Sequence, residues 1–224
     1  MPLWFPSRFQ SCYVCLVPNI LPADDPECAP YAARLLKAGE LVCYPTDTVY
    51  GIGAAATNDS AVRRLYAVKG RPLSKPLPLL LATSASAALV ADVTPLAHTL
   101  MNRFWPGAVT LVMRRRPDFR SLALAGGDTV ALRVPDHDLV RDIVRLVGEP
   151  ITGTSANRSG ARAPVSASEA AFQLGDMVAL VINGGRAPGG VESTVVDITG
   201  APAIVREGAV SRREIEAAIG KAVA

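Results

Sequence analysis

The chain has 224 residues, of which half are apolar and 19% are charged. This composition excludes intrinsic disorder and predicts a single domain with a well-filled core, because a chain of this length buries most of its unfolded surface. The net charge is only +3, from 23 basic and 20 acidic residues. So small an excess permits an anionic partner but does not by itself indicate a nucleic-acid surface.

The first residues differ from the rest, and we expect an N-terminal extension over 1–22 followed by one domain over 23–224. Cys12 and Cys15 form a C-x-x-C pair. No second pair follows at zinc spacing and no strand–helix unit precedes it, which predicts bystander thiols in a cytosolic protein. The extension lacks the cleavage site of a secretion signal. No apolar run approaches the roughly 20 residues of a bilayer span, so we expect a cytoplasmic protein without membrane contact.

Along the chain, apolar strand-like runs alternate with amphipathic helical stretches. Strands are predicted over residues 41–44, 77–81, 109–113, 129–134, 151–154, 178–182, 194–198 and 203–205. Helices are predicted over 61–68, 84–90, 95–104 and 139–147, and after the capping boxes Ser166-x-x-Glu169 and Ser211-x-x-Glu214. This mixture without repeats indicates an α/β or α+β fold.

Two segments resemble known functional motifs but lack the surrounding residues that those motifs require. Gly51-Ile-Gly53-Ala-Ala-Ala56 matches G-x-G-x-x-A, but six residues separate it from the preceding strand and Arg71 stands where a dinucleotide fold needs an acid. Its glycines are therefore predicted to serve a tight turn. Ser155 resembles a hydrolase nucleophile, yet the second glycine is missing and both histidines, His98 and His137, precede it. The histidines are predicted to be surface or boundary residues.

Five loops at predicted strand ends combine glycine, small hydroxyl residues and cations. They are Tyr44–Gly51, Lys69–Pro76, Gly126–Thr129 with Arg133 on the following strand, Thr154–Gly160, and Glu192–Thr194 with Arg206–Gly208. Backbone N–H groups, hydroxyls and cations together bind phosphates, and ligands of open α/β sheets bind at strand ends. Each loop alone indicates only a turn, whereas their joint occurrence predicts an anion site.

Six motifs, in order, resemble those of the YrdC/Sua5 family of threonylcarbamoyl-adenylate synthases, and the resemblance covers about residues 25–220. They are Pro45-Thr-Asp-Thr-Val-Tyr-Gly51, Lys69-Gly-Arg-Pro72, Phe104-Trp-Pro-Gly107 with Thr110-Leu111, Asp128-Thr-Val-Ala-Leu-Arg-Val-Pro135, Ser155-Ala-Asn157 with Ser159-Gly160, and Glu192-Ser-Thr-Val-Val-Asp197. The resemblance implies a twisted open mixed sheet flanked by helices, with a concave basic cleft. It implies an enzyme that joins L-threonine, bicarbonate and ATP into threonylcarbamoyl-AMP and releases pyrophosphate. Downstream transferase proteins then modify adenosine 37 of tRNAs that read ANN codons.

The resemblance also assigns site residues. Lys69 and Arg71 are implied to be catalytic and to hold the ATP phosphates. The other implied ATP-binding residues are Lys75, Thr129, Asn157 and Arg206, and the implied threonine-binding residues are Thr48, Arg133, Ser155 and Ser193. Mg²⁺ is expected to bridge the phosphates while keeping several waters. Three carboxylates are open candidates to contact it, namely Asp47, Asp128 and Glu192.

The sequence departs from the family pattern at two positions. Leu80 stands where many members carry a histidine that contacts the amino acid, and Val165 stands where a Ser or Thr contact to ATP is expected. Two other hypotheses about the function stay open. One is a carbamoyltransferase of the hydrogenase-maturation type, whose zinc fingers and acylphosphatase unit are missing here. The other is a non-catalytic module that binds double-stranded RNA or tRNA, which the mild charge and few aromatic residues favour less.

Overall fold

The computed structural model describes residues 19–224, so Cys12 and Cys15 lie outside the described residues. In this part of the chain the α-helices are α1 (Cys28–Lys37), α2 (Asp59–Lys69), α3 (Pro95–Phe104), α4 (Asp138–Val147), α5 (Ala167–Leu174) and α6 (Arg212–Ile219). The strands are β1 (Ile20–Pro22), β2 (Val42–Tyr44), β3 (Gly51–Gly53), β4 (Leu79–Leu80), β5 (Val109–Arg114), β6 (Thr129–Arg133), β7 (Ile151–Thr152), β8 (Thr154–Ser155), β9 (Leu180–Asn183), β10 (Thr194–Asp197) and β11 (Ala203–Arg206). The expected α/β class is confirmed.

The strands form two mixed sheets instead of the single sheet expected. The first has the order β1-β9-β2-β3-β8, and the second has the order β11-β10-β5-β6-β4-β7. Both contain parallel and antiparallel pairs. Helices α1 and α4 pack against the first sheet in one buried cluster, and the other helices contribute to a second, larger one.

The chain passes from the second sheet to the first at Gly153. The sequence predicts one strand over 151–154, but the chain forms β7 against β4 of the second sheet and then β8 against β3 of the first. Between them the Gly153 N–H donates to the carbonyl of Pro78 at 2.7 Å. A Cβ at this position would lie 2.5 Å from Leu80 Cγ, so only glycine allows the two segments to approach so closely.

Two elements at the N-terminal end were not predicted. Strand β1 pairs in parallel with β9, so residues 20–22 belong to the first sheet and not to an extension. Helix α1 follows and buries Cys28, Ala32, Ala33 and Leu36. Its N-cap residue, Glu27, makes no side-chain capping hydrogen bond, which explains why the sequence carries no clear start signal.

Gly51 and Gly53 lie in strand β3, and the prediction of a tight turn is wrong. The ring of Tyr44, on the neighbouring strand β2, covers both glycines. A Cβ would come within 2.7 Å of this ring at Gly51 and within 2.8 Å at Gly53. The Tyr44 hydroxyl donates to the carbonyl of Thr152 at 2.8 Å, which fixes the ring in this position.

The predicted capping boxes form to different degrees. At α6, Ser211 accepts from the Glu214 N–H and the Glu214 carboxylate accepts from the Ser211 N–H, so the box is complete. At α5, the Ser166 hydroxyl accepts from the Glu169 N–H, but the carboxylate of Glu169 accepts from Val165 instead of Ser166. None of the described helices is both long and apolar enough to cross a membrane.

Candidate active site between the two sheets

A cavity of about 640 Å³ lies between the two sheets and collects residues from five separate chain segments. Nine of the ten site residues that the family resemblance implies line this cavity. They are Thr48, Lys69, Arg71, Lys75, Arg133, Ser155, Asn157, Ser193 and Arg206. Among residues 19–224, the lining includes five basic side chains and a single carboxylate, that of Glu192.

The end of α2 positions the first pair of cations. Gly70 caps the helix at φ 60°, a left-handed conformation that glycine adopts without strain, and the chain then turns back towards the cavity. Lys69 Nζ donates to the carbonyls of Ser155 at 2.5 Å and Asn157 at 2.7 Å. Arg71 Nη2 donates to the carbonyl of Pro76 at 2.9 Å. Two loops distant in sequence are thereby joined through one ammonium group.

Lys69 is only 3% exposed. Its burial and then the neighbouring Arg71 charge lower the pKa of Lys69 to about 8, against smaller opposing effects of Glu192 and Cys43. Because desolvation disfavours the charged form, an anion bound nearby would stabilise the ammonium group. Lys69 is thus a buried cation, whereas Lys75 in the following loop is exposed.

Arg133, at the end of β6, is held on three sides. Its Nε donates to the carbonyl of Gly107 at 2.8 Å, and its Nη1 donates to Thr48 Oγ1 at 3.0 Å. Its Nη2 forms an ion pair with Asp47 at 2.6 Å. The same Asp47 oxygen accepts from the Asp136 N–H at 3.2 Å. A guanidinium has five N–H groups, so one remains on each terminal nitrogen. A carboxylate oxygen can accept a charge-assisted hydrogen bond from such a group.

Hydroxyl groups complete the wall between β5 and β10. The Oγ atoms of Thr110 and Ser193 are 2.8 Å apart, and both residues are buried. Arg206, on β11, donates to the Ser193 carbonyl at 2.9 Å and pairs with Glu192 at 2.7 Å. Ser193 and Arg206 were predicted to be site residues, whereas Thr110 was part of a family motif without a predicted role.

The amide of Asn157 has a fixed orientation. Its Nδ2 donates to the carbonyls of Arg158 at 2.9 Å and Ala161 at 2.7 Å. Both partners are acceptors, so the amide nitrogen must point towards them. Asn157 Oδ1 has no hydrogen-bond partner among the described residues. The amide thus holds the loop after β8 in place.

The structure does not bring every expected residue to the cavity. Thr129 lies at the start of β6, opposite Arg114 of β5, and the cavity lining reaches only as far along this strand as Ala131. Asp128 pairs with Arg114 on the surface. Of the three carboxylates considered for Mg²⁺, only Glu192 lines the cavity.

Histidines and cysteines of the described residues do not line the cavity either. His137 precedes α4, and its burial lowers its pKa, while the charge of Asp47 opposes this shift. Burial raises the pKa of the Cys43 thiol to about 12, so this thiol is not a nucleophile. Within residues 19–224, no three His, Cys, Asp or Glu side chains come together as a metal site.

Comparison with known proteins identifies the family. The family model described as "Telomere recombination", which covers the Sua5, YciO and YrdC proteins, matches residues 34–208, well over half of the chain. The chain belongs to the Sua5/YciO/YrdC family. The motifs that carry the resemblance in the sequence lie within or close to this matched region, and the family expectation is confirmed.

Individual members of the Sua5/YciO/YrdC family resemble the chain over most of its length. The threonylcarbamoyl-AMP synthase of Bacillus subtilis is 42% identical over 207 residues, which are 91% of this chain and 60% of the relative. The structure of Pyrococcus abyssi Sua5 complexed with L-threonine is 36% identical, with a TM-score of 0.87, and the match covers 92% of this chain and 62% of that one. Escherichia coli YciO is 25% identical with a TM-score of 0.79, covering 88% and 98% of the two chains. The chain thus spans about 60% of the length of the first two relatives.

Proposed function

We propose that this protein is a nucleotidyltransferase that condenses L-threonine, bicarbonate and ATP into L-threonylcarbamoyl-AMP, with release of pyrophosphate. The observation that carries the proposal is the convergence of nine motif residues from five segments on one cavity. The names of the relatives support the same activity, and a relative that was solved with L-threonine supports the choice of amino acid.

The cavity has separate positions for the two charged substrate groups, the ATP phosphates and the threonine carboxylate. The cations Lys69 and Arg71 approach from the end of α2, and the ATP phosphates are proposed to bind there. Arg133 approaches from β6 with two free N–H groups, and the threonine carboxylate is proposed to bind there. Lys75, Asn157 and Arg206 are proposed nucleotide contacts, and Thr48, Ser155 and Ser193 are proposed contacts of the amino acid.

The chemistry needs charge neutralisation and positioning more than it needs a base. The threonine amine forms a bond to the carbon of bicarbonate with loss of one water molecule, which gives a carbamate. The anionic oxygen of this carbamate attacks the α-phosphorus of ATP. The new P–O bond forms as the bond to the β,γ-pyrophosphate breaks, and the pyrophosphate carries away the electron pair. Cations near the phosphates stabilise the charge that develops in this transfer. A lining without histidine is adequate for such a step.

We treat Mg²⁺ as part of the substrate complex with ATP. The described residues form no protein metal site, and the single lining carboxylate, Glu192, already pairs with Arg206. The phosphates and water molecules supply the oxygen ligands that Mg²⁺ prefers. Glu192 is the described carboxylate best placed to contact that hydration shell.

The product is an activated acyl-adenylate, so a transferase must consume it. We propose that tRNA threonylcarbamoyl transferase proteins take this role in the cytoplasm, and that any contact with tRNA is secondary to catalysis. A purely RNA-binding module has less support, because the basic residues named above converge on a small cavity instead of an extended surface.

The test is a reconstitution. The protein is incubated with ATP, Mg²⁺ and bicarbonate, with and without L-threonine, and pyrophosphate and the mass of the adenylate are measured. We expect both products only when threonine is present. Equal pyrophosphate release without threonine would overturn the assignment, and RNA binding without any turnover would favour the binding module.

Variants of two arginines on or near α2 test the proposed phosphate contact. Arg71→Ala is expected to cost about 2–4 kcal/mol in the transition state, because it removes a cation directed at the phosphates. Arg64→Ala is the matched control, since Arg64 pairs with Glu40 on the surface and does not line the cavity. Near-normal turnover of Arg71→Ala at saturating ATP would exclude this role.

A further inference from the structure

Thr110 and Ser193 carry two hydroxyl groups that face each other in the wall of the cavity. Their Oγ atoms are 2.8 Å apart, and the residues are only 2% and 6% exposed. Each hydroxyl has one hydrogen, and the contact between the two oxygens holds only one of these hydrogens. Among residues 19–224, neither hydroxyl donates to any other acceptor. Whichever hydroxyl donates to the other, one O–H hydrogen therefore remains for a ligand.

The second sheet places this hydroxyl pair between two arginines. The antiparallel register of β5 with β6, continued by one residue, places Thr110 opposite Arg133. Both side chains line the cavity, and residues directly opposite each other on one face of a sheet are close neighbours. On the other side of the pair, Arg206 donates to the Ser193 carbonyl at 2.9 Å. The pair thus lies between the Arg133 and Arg206 side chains.

The charges around the pair favour an anionic ligand. In the described part of the chain, five basic side chains line the cavity, and the single lining carboxylate, Glu192, pairs with Arg206. Arg206 Nη2 is 3.5 Å from Ser193 Oγ, which is too long for a strong hydrogen bond, so this oxygen can accept the Thr110 hydrogen. An anion that accepts from Ser193, the more exposed of the two residues, leaves the Thr110 hydrogen between the two oxygens. Hydrogen bonds to anionic acceptors are stronger than those between neutral groups.

The proposed reaction needs a contact for an anionic oxygen at this place. The carbon that bicarbonate supplies is bonded to the threonine nitrogen and is joined through oxygen to the α-phosphorus. Its carboxyl group therefore lies between the amino acid and the nucleotide. Arg133 is the proposed contact of the amino-acid carboxylate, and Arg206 is a proposed contact of the nucleotide. The Thr110–Ser193 pair lies between these two arginines, as the carboxyl group must.

We propose that the Thr110–Ser193 pair is the bicarbonate subsite. The Ser193 hydroxyl donates to one carboxylate oxygen of bicarbonate and then of the carbamate, and Thr110 is a positioning residue that donates to Ser193. The proposal rests on the proposed function, because it takes bicarbonate as a substrate. No proton is transferred, and the bound oxygen is the one that does not attack, so the other oxygen is directed at the α-phosphorus. Ser193 Oγ keeps its second lone pair for the substrate hydroxyl.

The test measures KM for bicarbonate, threonine and ATP, each with the other two substrates saturating, in buffers freed of dissolved CO₂. Thr110→Val keeps the shape of the side chain and removes the hydroxyl. We expect KM for bicarbonate to rise about threefold to tenfold, the effect of one hydrogen bond, while the other two KM values stay within about twofold. Thr110→Ser keeps a hydroxyl and should restore a low KM for bicarbonate.

Thr99→Val is the matched control. The Thr99 hydroxyl donates to the carbonyl of Pro95 at 3.1 Å on the exposed side of α3, and Thr99 does not line the cavity. The same chemical change should therefore leave all three KM values unaltered.

The double variant Thr110→Val/Ser193→Ala separates positioning from a general structural effect. If Thr110 acts through Ser193, the double variant should have the same KM for bicarbonate as Ser193→Ala alone. Additive effects of the two substitutions, or an equal rise of all three KM values in Thr110→Val, would overturn the proposal. Threonine-independent pyrophosphate release by the wild-type protein would instead mean that the proposed function is wrong, and this is measured first.

Direct binding gives a readout that needs no turnover. Without nucleotide, the wild-type protein should broaden the NMR signal of ¹³C-labelled bicarbonate in a saturable way, and Thr110→Val should broaden it less. Formate, which has carboxylate oxygens but forms no carbamate, should compete. If Thr110→Val does not fold, Ser193→Ala takes its place and should lose the broadening. Equal broadening by the wild-type protein and the variant, or no saturable broadening by the wild-type protein, would overturn the proposal.

Discussion

Asp47 and Arg133 form an ion pair at 2.6 Å whose side chains are only 15% and 8% exposed. A buried guanidinium without a counter-charge is costly, so the carboxylate stabilises the cation that is proposed to bind the substrate. Because the same carboxylate oxygen accepts from the Asp136 N–H, it also ties the loop after β6 to the loop after β2.

Removing the Asp47 charge is therefore expected to weaken both the fold and threonine binding. Asp47→Asn should lower the free energy of unfolding by about 3 kcal/mol and raise KM for threonine, because the guanidinium loses its partner. Asp136→Asn is the control, since this carboxylate is 67% exposed and meets Arg141 at 3.3 Å. It should change stability by less than about 1 kcal/mol. Urea unfolding checks both values, and equal losses would contradict the structural role.

The lowered pKa of Lys69 predicts how nucleotide binding depends on pH. The ammonium form is the one that attracts phosphate, so binding should be undiminished below pH 8 and weaken as the pH rises through the Lys69 pKa of about 8. Phosphate groups have their second pKa near about 6 and do not titrate in this range. Calorimetry with a non-hydrolysable ATP analogue from pH 7 to 9.5 measures this.

The same profile has an internal control. The positive charge of Arg71 helps to lower the pKa of Lys69, so Arg71→Ala should move the midpoint to higher pH while weakening binding overall. A flat profile in the wild-type protein, or a midpoint that does not move in the variant, would show that Lys69 is not the titrating group.

The buried hydroxyls of the cavity predict the choice of amino acid. Serine lacks one methyl group of threonine, which is worth about 0.8 kcal/mol, so it should be used only a few-fold less well. Valine should fall well behind, because it cannot make the hydrogen bonds of the substrate hydroxyl to buried polar groups such as Thr48 and Ser193, a loss of about 1–3 kcal/mol. Values of kcat/KM give the order. Arg133→Lys should reduce all three alike, and valine turnover at or above that of serine would contradict a pocket that binds the hydroxyl.

Gly153 and Leu80 provide a test of packing between the sheets. Gly153→Ala should destabilise the protein by about 1–3 kcal/mol, because the new methyl would lie 2.5 Å from Leu80 Cγ. In a Leu80→Ala background the same change should cost much less, since the space is then free. Urea unfolding of the two single variants and the double variant measures this coupling. Additive costs would mean that the strain at Gly153 has another source.

Much of this fold could be predicted from the sequence, because the relevant signals are local. The strands β5 and β6 and the helices α3 and α4 lie close to their predicted bounds, since apolar periodicity and Thr, Pro or Gly end signals mark them. Strand β3 has no such local signal. Its glycines leave room for the ring of Tyr44, which lies on another strand. The division into two sheets depends on Gly153, whose contact with Leu80 joins positions far apart in the chain.

The site was predicted through motifs, and the limits of motifs explain what was missed. The order of the motifs predicted that Lys69, Arg133 and Ser193 belong to one site, although the arrangement of the sheets was not predicted. It could not show that Thr129, at the start of β6, lies outside the cavity lining. Thr110 belongs to one of the motifs, but its role could not be predicted, because its contact with Ser193 depends on the pairing of β5 with β10 in the folded protein.

Because the cavity lies between the two sheets, a bound ligand contacts both of them and stabilises the fold. Ser155 and Gly51 line it from the first sheet, and Val112 and Arg133 line it from the second. A bound substrate therefore cross-links β8 to β6, and at one hundred times its dissociation constant it adds about 2.7 kcal/mol to the stability of the whole domain. The proposed substrates, ATP and threonine, should therefore slow amide exchange in both sheets at once and make the protein more resistant to proteases.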